Sequence, residues 1–129
     1  MTQIYFDHSA TTPLDPRVVE AMLPFYQAEF GNPSSLHWAG QQAKQAIDEG
    51  RRQVAELFHA NPDEITFTGS GTEADNMVLK GVACLYQPQE CHIITSAFEH
   101  PAILETCKHL AKLGYEISYL PVSSEGIVE

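Results

Sequence analysis

Basic residues are scarce in this chain: 7 Lys and Arg stand against 17 Asp and Glu in 129 residues, a formal charge of −10. A nucleic acid needs a basic stripe to neutralise its phosphates, and beyond Arg51 and Arg52 there is no basic cluster, which argues against that partner. Long apolar runs are missing too. None approaches the ~20 residues that cross a bilayer, and the start, MTQIYFDHSATT, has no basic region followed by an apolar core. The expectation is a soluble, cytoplasmic protein with no membrane partner. Cys84, Cys91 and Cys107 form neither a CxxC pair nor a disulfide framework. They are expected as small buried apolar side chains in a reducing compartment. His8, His37, His59, His92 and His109 show no HxxxH spacing and no neighbouring cysteine pair, which argues against a metal site. Low-complexity tracts and internal repeats are absent, and 43% hydrophobic with 19% charged residues is the balance of an ordinary folded chain.

What is present is an alternation of short elements. Residues 4–6 read as a short strand, and the irregular DHSATTP follows. Asp15 can cap a helix that Pro16 opens; Gly31 marks its expected end, and Pro24 predicts a kink within it. After GNPSS, the residues Ala43, Ala46, Ile47, Gly50, Val54 and Leu57 recur at three- and four-residue intervals as one helical stripe, until Asn61 and Pro62 break the chain. Residues 64–68 read as a strand. Ala74, Met77, Val78, Gly81, Val82 and Leu85 give the strongest helical period, residues 91–95 a second strand, and Pro101 to Leu113 a third helix that Gly114 stops before a last strand at 115–120. The fold class is therefore α/β: a β-α-β-α-β parallel sheet preceded by N-terminal helices, with ligands expected beyond the carboxyl ends of its strands. The chain stops after that last strand with no helix to cover it, and so reads as interrupted.

Two loops share that rim, TGSGTE and SAFEHP. In ITFTGSGTEADN, Gly69 and Gly71 let the backbone turn and approach a ligand, while Thr72 adds a hydroxyl to the N–H groups of a helix start, where a phosphate can sit. Ser70 and Glu73 have capping-box spacing, so the same turn also reads as a plain helix cap. The two readings are compatible. The turn matches neither GxxxxGK followed by Ser or Thr nor GxGxxG, which disfavours ATP and NAD. His100, between a strand and Pro101, is placed to stack on a planar ring or move a proton; a solvated or capping histidine is the alternative. Lys44, Lys80, Lys108 and Lys112 read as solvated helix lysines.

Taken together and in order, IYFDHSATTP, FGNPSSLHWAG, ITFTGSGTEADN and ITSAFEHPAILETC resemble the opening third of a cysteine desulfurase. These are pyridoxal-phosphate enzymes of the class V aminotransferase family that serve nitrogen fixation and iron-sulfur assembly. The resemblance implies part of a fold-type-I transferase large domain over residues 16–129, with residues 1–15 as an arm of the small-domain and active-site loop region. It implies pyridoxal 5'-phosphate as cofactor, its phosphate on Gly71 and Thr72, and His100 both stacked on the pyridine ring and catalytic in proton transfer. The substrate would be L-cysteine, whose sulfur passes to an enzyme thiol as a persulfide, leaving L-alanine. A homodimer and an iron-sulfur scaffold or other sulfur acceptor are implied as partners. One departure is mild: the family usually carries Ser or Thr-Ser where Gly69 and Ser70 stand. A larger one is that the family's Gly-His-Lys lysine, Asp-Ala aspartate and late-loop cysteine have no counterpart in residues 1–129, so this segment alone is expected to be inactive. The same cradle serves selenocysteine lyases and aminotransferases, and a truncated non-catalytic module is the reading outside the enzyme class.

Overall fold

The computed structural model describes residues 3–128. It resolves into two compact units, one ending at Thr66 and the other beginning at Phe67. No helix among the described residues is long and apolar enough to cross a membrane.

The first unit holds α1 (Pro16–Gln27), α2 (Trp38–Phe58) and a 3-10 turn, Pro62–Glu64. Helix α1 begins where expected, because the Asp15 carboxylate accepts the Arg17 N–H at 2.8 Å and Pro16 occupies the first turn. Its end differs. The helix runs past Pro24 only to Gln27, where Ala28 and Glu29 N–H both bond to Pro24 O (2.9 and 2.8 Å). Gly31 therefore does not stop it; that glycine is required by a close approach, since any Cβ there would collide with the Ala39 carbonyl in the first turn of α2. Gly40 is crowded from the other side, with Asn32 O 2.7 Å from where its Cβ would lie. The GNPSS segment thus lies backbone to backbone against the start of α2, where Ala39 and Gly40 are buried.

Along α2 the expected stripe is only partly covered. Ala43, Ala46, Gly50 and Val54 are half-buried and Ala55 is buried, whereas Ile47 and Leu57 are exposed. Helix α2 ends on His59 in the left-handed conformation (φ 53°), with His59 N–H on Glu56 O and Ala60 N–H on Ala55 O, a Schellman closure. The strand expected at residues 4–6 is not formed. The Tyr5 hydroxyl lies 2.8 Å from Asp7 O and 3.2 Å from Thr11 O, and the Ala10 N–H bonds to Asp7 O, so the segment closes on itself as a turn rather than pairing.

The second unit holds α3 (Gly71–Ala83), β1 (His92–Ser96), α4 (Pro101–Lys112) and β2 (Glu116–Leu120). Strands β1 and β2 run parallel in a register from His92–Glu116 to Ser96–Leu120, joined through α4. The architecture is α/β, but two of the three expected strands are paired. Glu64 is consumed by the 3-10 turn, its carboxylate capping the Asn61 N–H at 2.7 Å, and among the described residues 65–68 do not belong to a strand. Helix α4 ends on Gly114 (φ 98°), with Gly114 N–H on Ala111 O and Tyr115 N–H on Leu110 O, as its glycine stop requires. Among the described residues, Ala83, Thr106, Cys107 and Leu110 form the buried set of this unit.

Candidate functional site

Helix α3 starts at Gly71 because Ser70, held extended (φ −166°, ψ 162°), turns its hydroxyl to accept the Glu73 N–H at 3.2 Å. The Glu73 carboxylate reaches back to the Gly69 N–H at 2.7 Å, and the Ala74 N–H bonds to Ser70 O at 3.1 Å. These bonds use the third and fourth donors of the first turn. The first two stay open: neither Gly71 N–H nor Thr72 N–H has an acceptor among the described residues, and the Thr72 hydroxyl makes no bond there either. Nothing lies within 4 Å of where a Gly71 Cβ would be. The cap therefore leaves the outer two donors of this helix start open.

The donor set suits a phosphate ester. It consists of two backbone amides and a hydroxyl at the positive end of the helix dipole, with room for an oxygen at Gly71. No Lys or Arg occurs from residue 67 to residue 79, so within this stretch only the aligned dipoles favour an anion. The Glu73 carboxylate in the same first turn is turned onto the Gly69 N–H.

His100 is the N-cap of α4. Its Nδ1 accepts the Ala102 N–H at 3.1 Å, so the neutral ring carries its proton on Nε2. The preceding loop is tied down by Ser96, whose hydroxyl donates to Glu99 Oε1 (3.1 Å) and accepts the Phe98 N–H (3.3 Å). The imidazole is exposed at the carboxyl end of β1.

Two hydrogen-bonded bridges decide how these helix starts are arranged. Near the beginnings, the Thr106 hydroxyl donates to Asn76 Oδ1 at 2.9 Å. Near the ends, the Tyr115 hydroxyl, just beyond α4, donates to Ala83 O, the last residue of α3, at 2.8 Å. Bridges at both positions require α3 and α4 to run parallel. Asn76 and Thr106 each stand five residues inside their helix, so both starts lie about 7–8 Å from the first bridge, on the same side of it. Gly71, Thr72 and His100 are thus brought to one end of a helix pair.

The cysteines are elsewhere. Cys107 is fully buried in α4, and burial, helped by the Glu99 carboxylate, pushes its thiol above the ordinary range. Cys91 is half-buried at the opposite end of β1 from His100. Cys84, expected buried, is exposed at the far end of α3. It lies in an open trough of about 420 Å³ with Asn76, Met77, Lys80 and Gly81, on a flank of α3 that the rest of the unit does not cover. Asn76 and Thr106 were not singled out by their sequence context. Asn76 lies four residues after Thr72, and its Nδ2 donates to Thr72 O at 2.9 Å; that spacing is the one local signal that could have marked it.

Comparison with known proteins adds the following. The family described as aminotransferase class-V matches residues 4–129. A cysteine desulfurase IscS of Dictyoglomus turgidum is 51% identical over 127 residues, covering 98% of this chain and 32% of its own length. A solved NifS-like protein superposes with a TM-score of 0.89 at 41% identity, covering 99% of this chain and 35% of that one. A structure of SspA in complex with cysteine superposes with a TM-score of 0.86 at 36% identity, covering 97% of this chain and 36% of that one. The chain spans about a third of the length of the curated relatives it matches.

Proposed function

Because the chain belongs to the aminotransferase class-V family, we propose that it is the N-terminal part of a pyridoxal 5'-phosphate-dependent cysteine desulfurase. The reaction is removal of sulfur from L-cysteine, leaving L-alanine, with the sulfur destined for iron-sulfur assembly. The observation that carries this reading is the pair of open amides at Gly71 and Thr72 beside an exposed His100 at the same end of a parallel helix pair. A cytoplasmic homodimer handing sulfur to an acceptor protein completes it.

In this reading Gly71 and Thr72 hold the cofactor phosphate through two N–H donors and one hydroxyl, without displacing the Ser70–Glu73 cap. His100 would hold the pyridine end of the cofactor. Its Nδ1 is engaged by the Ala102 N–H, so Nε2 is the atom that holds or passes a proton. Bound pyridoxal 5'-phosphate supplies the electron sink for cleavage next to the substrate α-carbon. The sulfur-accepting thiol is assigned to none of Cys84, Cys91 and Cys107. The first two lie away from the His100 end and the third is sealed in α4. The relatives named cysteine desulfurase IscS support this choice of reaction.

The test uses full-length protein titrated with pyridoxal 5'-phosphate and then given L-cysteine. Alanine should appear only with cofactor, and sulfide with it once a dithiol reductant is added to release the persulfide sulfur. Thr72→Ala should weaken cofactor binding about tenfold or more, the worth of one hydrogen bond to a charged group. His100→Ala should slow alanine release more than it weakens binding. A protein that binds the cofactor yet yields no alanine, or a Thr72→Ala variant with unchanged affinity, contradicts the proposal.

A further inference from the structure

One hydrogen-bonded path runs between the two helix starts. Asn76 Nδ2 donates to Thr72 O (2.9 Å), and Asn76 Oδ1 accepts from the Thr106 hydroxyl (2.9 Å). That hydroxyl also lies 2.8 Å from Ala102 O, and the Ala102 N–H bonds to His100 Nδ1 (3.1 Å). Asn76 and Thr106 are 30 residues apart in sequence, and Thr106 is 5% exposed. Packing alone does not call for a hydroxyl there, because valine has the same shape and no polar group to desolvate. The hydroxyl has one hydrogen shared between Asn76 and its own helix, so Asn76 is the acceptor that links the two helices.

We propose that Asn76, locked by Thr106, is a positioning residue: it fixes α3 against α4 so that the Gly71 and Thr72 amides and the His100 ring face the same molecule of pyridoxal 5'-phosphate. The inference rests on the cofactor reading above and extends it. Asn76 grips the carbonyl of Thr72, the residue whose own N–H is open, and Thr106 grips the carbonyl of Ala102, the residue whose N–H orients His100. A slip or rotation between the helices would move the phosphate donors relative to the ring that covers the pyridine. The link therefore acts on how the cofactor is held, with no contact to the reacting atoms.

The experiment compares full-length wild type with Thr106→Val, Thr106→Ser and Asn76→Ala by cofactor titration, by visible circular dichroism of bound pyridoxal 5'-phosphate and by thermal unfolding without cofactor. Thr106→Val keeps the buried shape and loses the hydroxyl. It should weaken cofactor affinity about tenfold, the loss expected for one hydrogen bond, and diminish the visible dichroism. Thr106→Ser should restore both, and Asn76→Ala combined with Thr106→Val should be no weaker than Asn76→Ala alone. Where Asn76→Ala fails to fold, Thr106→Val carries the test. Unchanged affinity and dichroism in Thr106→Val overturn the positioning role while leaving the cofactor reading intact, as does a Thr106→Ser protein that behaves like Thr106→Val. A wild type that binds no pyridoxal 5'-phosphate overturns both.

Discussion

Replacing Gly31 with alanine sets a steric demand against a backbone. The new methyl would stand 2.6 Å from the Ala39 carbonyl carbon and 3.1 Å from Gly40 N, closer still to Ala39 O, and short of the 3.4 Å at which ordinary contact begins. Gly31 is not among the glycines with positive φ, so alanine can adopt its conformation and the cost is purely one of space. The obstructing atoms are main chain in the first turn of α2 and cannot rotate aside; the helix must retreat from GNPSS. Overpacking of this kind costs about 1–3 kcal/mol, and an immovable neighbour places Gly31→Ala toward the upper end. Urea unfolding of the full-length protein should show the midpoint falling with the slope unchanged. Gly50 supplies the control within the same helix: nothing lies within 4 Å of its missing Cβ, so Gly50→Ala should gain about 0.5–1 kcal/mol. A Gly31→Ala protein as stable as wild type would refute the close approach, whatever Gly50→Ala does.

Two further outcomes follow from the same helix. His59 holds the left-handed position that ends α2, so His59→Gly should stabilise by roughly 1 kcal/mol in the same urea assay; a loss would mean the imidazole has an unrecognised partner. The Glu49 carboxyl is lowered to about 2 from 4.5, chiefly by the Arg52 side-chain hydrogen bond and then by Gln53. Because the folded value is the depressed one, the pair's support for α2 is complete above about 4.5 and disappears as pH falls toward 2. A carboxyl NMR titration should find that midpoint and see it rise in Arg52→Gln; a Glu49 midpoint near 4.5 in wild type would dismiss the pair.

Local chemistry was legible in the sequence and distant pairing was not. Asp15 with Pro16, Ser70 with Glu73, and Gly114 each announced a helix boundary through residues within a turn of it, and each boundary formed through the bonds those residues can make. The apolar run at 64–68 reads as a strand by composition, but the Asn61–Glu64 cap claims its first residue. Gly31 reads in the sequence as a helix stop, whereas the Ala39 carbonyl that demands a glycine there is supplied by folding. For the site, Gly71, Thr72 and His100 stood out individually from their loops. Their gathering at one helix-pair end depended on Asn76 meeting Thr106 and Tyr115 meeting Ala83, links across 30 and 32 residues that no local pattern encodes.

The division of donors at the start of α3 separates what closes the helix from what it presents to solvent. Ser70 and Glu73 complete the coil's opening by themselves, and only the remaining amides look outward. An anion can therefore come and go there, traded for water, without the polypeptide having to refold around each arrival.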